Sequence, residues 1–277
     1  MTEQKWIKWD PDNGIIESNF GRLVMYAEGF IRGFIEELTK SGGTALEKMV
    51  IKDMALSIGI DYSESNGLNW RSFEDKMDQF LSPFEEINNK PAELEWDGKS
   101  RNMKYGNFLK TKLWPLKTIG AFKSSAEKAL TERGANAIIG QASRKAGREF
   151  ANSVGKAFNW DSMDKVISSM GGIMPQNFRT LGWGKLELFM KAEDRVVVFV
   201  MKGIYEAEVG GDKASLTILK NQIEGIGESL AKKESLSVKC KEVDSPLGGD
   251  TRIVVLKLSG SGEDVDWDLV PWREMVA

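Results

Sequence analysis

The chain of 277 residues contains no histidine, and Cys240 is its only cysteine. Those two absences exclude disulfide frameworks, zinc fingers, histidine-ligated haem or metal, and every Ser-His-Asp or Cys-His catalytic arrangement. Long apolar runs are also missing. No stretch approaches the roughly 18 residues of a membrane span, and residues 1–10 are polar, without the apolar core of a secretory signal. A cytoplasmic protein is expected. No dinucleotide fingerprint is present, and no cofactor or metal site is expected. The carboxylate groups Glu36-Glu37, Glu85-Glu86 and Asp264/Asp266/Asp268 fall on helix ends, loops or the tail, where solvated charge is the default. The chain therefore reads as a binding or interaction protein rather than an enzyme.

What remains is an ordinary globular composition, 41% hydrophobic and 29% charged. The length suits one large domain or two small ones. A net charge of −3 hides an asymmetry: residues 1–100 carry 11 Lys and Arg against 19 Asp and Glu, residues 101–191 carry 16 against 6, and residues 192–277 carry 11 against 16. The basic middle third could bind an anion or nucleic acid, with Lys104, Lys110, Lys112, Lys117 and Lys123 as phosphate contacts. Acidic flanks instead suggest that its charge is answered within the molecule, and no nucleic-acid motif is present, so nucleic acid is an unfavoured partner.

Leu23, Ala27, Phe30, Phe34 and Leu38 recur at spacings of three and four, which predicts a helix over about 20–40, closed by Gly42-Gly43. Further helices are expected over 44–59 and 72–81, the last stopped by Pro83. A polar connector follows. From Tyr105 a long helix interrupted near Pro115, a second from Gly134 and a third from Trp160 follow in the same order. Gly42 to Trp70 spans 28 residues and Gly134 to Trp160 spans 26, so the two halves read as a duplicated three-helix unit.

The period then changes from 3.6 to 2. Leu186, Leu188 and Met190 alternate with charged residues, and Val196–Met201 follows as a buried strand, so the pair reads as a hairpin. A helix over 214–232 places Leu219, Ile223, Ile226 and Leu230 on one face, with Gly225 and Gly227 inside it. Strands over 236–243 and 252–258 form a second hairpin. Ser259-Gly-Ser-Gly262 reads as a flexible link to an acidic tail bearing Trp267 and Trp272.

Gly134-Ala-Asn-Ala-Ile138, Arg144-Lys-Ala-Gly147, Trp160-Asp161-Ser-Met163, the strand pair, the paired-glycine helix and Val238-Lys-Cys240 occur in one order over residues 106–258. In this the chain resembles the 4-vinyl reductase domain, a family of small-molecule-binding modules related in fold to TRAPP subunits and to sensor domains of aromatic-responsive regulators. The resemblance implies an α+β fold, with helices packed on one antiparallel sheet. It implies a helical, truncated repeat over 1–104, a complete ligand-binding domain over 105–260 and an acidic tail over 261–277. A hydrophobic small-molecule ligand is the implied partner, with a homodimer or partner protein as a further possibility. Members that bind zinc do so through a cluster near the last hairpin. Only Cys240 stands there, so no zinc site is expected, and reductase activity is not inherited.

The implied pocket lies between helices and sheet, and Phe150, Phe158, Trp160, Met163, Phe178, Trp183 and Cys240 are the candidates for its wall, although an apolar residue at helical or strand spacing is usually plain core. Met170 and Met174 would suit a pocket of adaptable shape. Arg144 and Arg148, four apart on a helix, form either a clamp for a carboxylate or phosphate at the pocket mouth or a solvated basic face. Gly147 in that helix suggests close approach of another backbone. The competing reading is an interaction scaffold of the same fold, its core self-filled, with Trp267 and Trp272 docking to a partner.

Overall fold

The computed structural model describes residues 6–60, 69–80, 86–97, 102–106, 109–157, 163–210 and 216–276. The chain divides into two compact units, residues 1–11 with 15–142 and residues 12–14 with 143–277.

The first unit carries strands β1 (Trp6–Asp10), β2 (Ile15–Ser18), β3 (Gly21–Ala27), β4 (Glu86–Asn88), β5 (Leu94–Asp97), β6 (Asn102–Tyr105) and β7 (Leu109–Pro115). They form one sheet in the order β4-β1-β2-β3-β7-β6-β5, antiparallel except where β4 runs parallel to β1. Helices α1 (Phe30–Ser57), α2 (Trp70–Phe80) and α3 (Leu116–Leu130) belong to this unit, and α4 (Glu132–Ala157) runs from it into the second. Inside α1, Gly43 at φ +73° leaves the helical region, so the expected stop becomes a kink.

The N-terminal segment is therefore not helical throughout. Residues 21–27 are a strand because Leu23, Val24, Met25 and Tyr26 are all buried, as in a strand covered on both faces, and β3 pairs with β2 and β7. Likewise 109–115 is a strand, and the helix begins only after Pro115. The expected boundary at 104/105 falls inside the β6–β7 hairpin, where Met103 faces Thr111 and Lys104 faces Lys110. The expectation of one antiparallel sheet is likewise corrected to two sheets.

The second unit contains α5 (Met163–Thr180), β8 (Lys185–Lys191), β9 (Val196–Lys202), α6 (Tyr205–Gly210), α7 (Thr217–Ala231), β10 (Leu236–Val243), β11 (Arg252–Gly260) and α8 (Trp272–Val276). Its sheet has the order β10-β11-β9-β8 and every pair is antiparallel, as the alternation predicted.

Register separates its two faces. Val197, Phe199, Leu256 and Leu258 point one way, toward α5 and α7. Val196, Val198, Val200, Ile253 and Val255 point the other way and are covered by Val270 and Trp272 of the C-terminal segment. Trp272 is 5% exposed. Trp272, which the competing reading left free to dock to a partner, is instead buried on this face: it closes the β-prone Val196–Met201 strand, whose uncovered face would invite aggregation. The Lys241 ammonium stands 5.7 Å from the Trp267 ring on the same side.

Candidate ligand cavity

The wall of the cavity is built from three sources on the helix-facing side of the four-stranded sheet. Val166 and Met170 come from α5, at the four-residue spacing that puts them on one stripe. Ile223, Ile226 and Leu230 come from α7. Met190, Val197, Phe199, Leu256 and Leu258 rise from the sheet, Met190 opposite Val197 and Val197 opposite Leu256. Gly227 brings α7 down onto β10 and β11, since a β-carbon there would lie 2.6 Å from Leu256 Cδ1 and 3.1 Å from Val238 Cγ1.

The cavity measures about 70 Å³, several times the roughly 10–15 Å³ that one water molecule requires. Its wall is hydrocarbon and thioether. Cations stand only at its rim, where the β8–β9 turn contributes Lys191, Ala192 and Arg195. Asp194 holds Lys191 at 2.5 Å and raises its pKa. No group of three or more Cys, Asp or Glu poised for a metal occurs among the described residues.

Of the nine residues singled out from the sequence, none lines this cavity among the described residues. Phe158 and Trp160, and the side chain of Met163, lie outside those residues. Phe150 is half-buried. Phe178 and Trp183 form the C-terminal clasp of α5: Gly182 takes φ +75°, its N–H donates to Arg179, the Trp183 N–H donates to the Phe178 carbonyl at 2.9 Å, and the two rings meet edge-on at 5.3 Å. A left-handed glycine with an apolar pair across it is how many helices end.

Arg144 and Arg148 face α7. Arg144 donates to Asn221 Oδ1 at 3.1 Å and Glu224 Oε2 at 2.9 Å, and Arg148 to Glu228 Oε2 at 2.6 Å. Their charge is answered by one row of acids. Burial lifts the Glu224 carboxyl above its ordinary value against the pull of Arg144. Between these pairs the two backbones touch: a β-carbon on Gly147 would lie 2.2 Å from the Gln222 carbonyl oxygen, and one on Gly225 2.0 Å from that of Arg144. The glycines serve close packing of helices.

Cys240 shares the helix-facing side with Leu256, opposite it in register, and its thiol reaches toward the Lys220 carbonyl at 3.7 Å. Burial, helped by the Glu224 charge, pushes the thiol well above its usual range. Cys240 is half-buried and forms part of the wall of an open polar groove. Lys220, Glu242 and Arg252 line the same groove, but Arg252 pairs with Glu242, whose other oxygen accepts the Leu216 N–H.

Met170 is the one cavity residue that the sequence reading named as suiting a pocket. The missed ones were readable by parity: Met190, Val197 and Phe199 are inward positions of a hairpin, and Ile223, Ile226 and Leu230 are the apolar stripe of α7.

No family model and no curated protein matches the chain. Among solved structures it is similar to the phenol-responsive sensory domain of the transcription activator PoxR with phenol, at 15% identity over 61% of this chain and 87% of that one, TM-score 0.48. It is also similar to a trafficking protein particle complex subunit 3 from Naegleria fowleri covalently bound to palmitic acid, at 13% identity over 50% of this chain and 94% of that one, TM-score 0.35. An H-NOX protein from S. oneidensis in the Fe(II)NO ligation state matches at 6% identity over 85% of this chain and 100% of that one, TM-score 0.41. No TM-score among these reaches 0.5, and no residue role or activity is carried over from them.

Proposed function

We propose that the second unit is a binding module for a small apolar molecule, built on a 4-vinyl-reductase-like arrangement of helices, hairpin, helix and hairpin. The observation that carries this reading is the hydrocarbon cavity between α5, α7 and the sheet. An empty apolar space forfeits dispersion contacts on every side, so an interior free to close it is expected to do so unless something occupies it. Two methionines in the wall, Met170 and Met190, give it adjustable shape at little strain. The order β3-α1-α2 over residues 21–80 and then β7-α3-α4-α5 over residues 109–180 supports reading the first run as a related, modified copy of the second. No helix among the described residues is long and apolar enough to cross a membrane.

The test is thermal unfolding with 1-hexanol and toluene, beside native mass spectrometry of freshly purified chain. A ligand at 100 times its Kd adds about 2.7 kcal/mol to stability, and Ile226→Phe, which fills the space, should abolish that gain while leaving the chain folded. If neither probe stabilises the protein and no retained mass is seen, the reading fails.

A further inference from the structure

Resting on that reading, we propose that the ligand is an amphipathic monocarboxylate, with its chain or ring in the cavity and its carboxylate on Arg195 at the mouth.

Two cations stand at the rim, and they differ. Lys191 is neutralised by Asp194 at 2.5 Å. Arg195 is exposed, and its guanidinium has neither an ion pair nor a hydrogen bond among the described residues, although it lines the cavity. A planar fork of donors over an apolar hole fits a carboxylate held at both oxygens.

The backbone makes the position unusual. Arg195 takes φ +52° at the end of the β8–β9 turn, where a type I turn closes through a left-handed residue that glycine fills without steric cost. Its N–H donates to the Ala192 carbonyl at 3.0 Å, and its own carbonyl accepts the Leu258 N–H at 3.0 Å. The conformation is therefore fixed from both sides, and it holds a long cationic side chain where the turn itself favours none. Glu193 and Asp194 beside it disfavour a dianion such as phosphate and leave a single negative charge as the match.

The experiment compares hexanoate with 1-hexanol by titration calorimetry at pH 7, using the full chain, Arg195→Gln and Arg195→Gly. The glycine variant suits the left-handed backbone, so it keeps the fold if glutamine does not. Hexanoate is expected to bind the native chain at least tenfold more tightly than 1-hexanol, and both variants to erase that ratio while leaving 1-hexanol unchanged. Equal affinities, or a ratio that survives loss of the guanidinium, overturns the carboxylate assignment and leaves the cavity reading standing. Binding of neither probe overturns both.

Discussion

Gly225 on α7 presses against Arg144 on α4 so closely that a methyl group in place of its hydrogen would sit 2.0 Å from the Arg144 carbonyl oxygen. Gly147 on α4 meets Gln222 on α7 in the same way, and the Arg144–Glu224 and Arg148–Glu228 pairs flank the contact. Because backbone rather than flexible side chain stands in the way, neither Gly225→Ala nor Gly147→Ala can be absorbed locally. Each should destabilise the chain by about 3 kcal/mol, at the upper end of overpacking costs. Gly172→Ala, with nothing within 4 Å of the added carbon, should instead gain about 0.5–1 kcal/mol from helix propensity. Urea midpoints of the three variants check both signs, and a destabilised Gly172→Ala would refute the argument.

Cys240 should be slow to alkylate. Its thiol pKa is pushed up by burial first and by Glu224 second, and only the thiolate attacks. Native protein at pH 8 should react with iodoacetamide at least a hundredfold more slowly than the same chain in urea. Cys240→Ala should keep ligand binding intact, because Cys240 stands outside the cavity wall. Comparable native and unfolded rates would contradict the upward shift of the thiol.

The second unit was largely legible in the sequence because its signals are local. Leu186 to Met190 alternates, a short turn leads into the apolar run Val196–Met201, and β10 and β11 pair across a Gly-bearing loop over 244–251, so period and turn chemistry suffice. The first unit was not. Leu23 pairs with Pro115, some ninety residues away, and nothing near either residue announces that partnership. Leu23, Ala27, Phe30 and Phe34 happen to keep helical spacing across the junction of β3 and α1, and so mimic one helix. The residues singled out from the sequence and those lining this cavity differ for another reason. Aromatic residues drew attention, yet Phe178 and Trp183 are spent on ending α5, while the cavity is walled mainly by aliphatic residues whose role depends on which side of the sheet they face.

In the first unit, Lys112 on β7 is buried with Glu74 at 2.9 Å and Asp78 at 3.2 Å, both on α2. Burial by itself would lower its pKa, but the two carboxylates together outweigh it and the net shift is upward. A raised native pKa means that the stabilisation is complete below the unfolded value of about 10.4 and fades as pH climbs through the higher native value. Stability should therefore fall steeply above about pH 10.4 in the native chain. Lys112→Met, which strands two carboxylates, should cost about 3–5 kcal/mol at pH 7 and should lose that lysine-dependent alkaline slope. Denaturant titrations from pH 7 to 11 on both proteins check it; a variant as stable as the parent at neutral pH would sink the claim.

The C-terminal segment offers the sharpest separation between packing and ligand binding. Trp272 and Val270 cover the valines and isoleucine on the sheet face opposite the cavity, and neither lines the cavity, Val196 being the one residue that belongs both to the covered cluster and to the wall. Trp272→Ala removes a large buried ring, and core truncations of that kind cost about 3–5 kcal/mol. The loss should appear as a lower unfolding midpoint and as binding of an environment-sensitive dye to the uncovered strands. Deleting residues 263–277 should go further and drive concentration-dependent aggregation, because Val196, Val198 and Val200 would then lie open on a flat apolar face. Affinity for 1-hexanol in Trp272→Ala should stay within about twofold of the parent where the protein is folded, since the strands keep their register through β8, β11 and the helices on the far side. A large drop in affinity at unchanged stability would mean that the two faces of this sheet are coupled, contrary to the separation of inward and outward residues along β9.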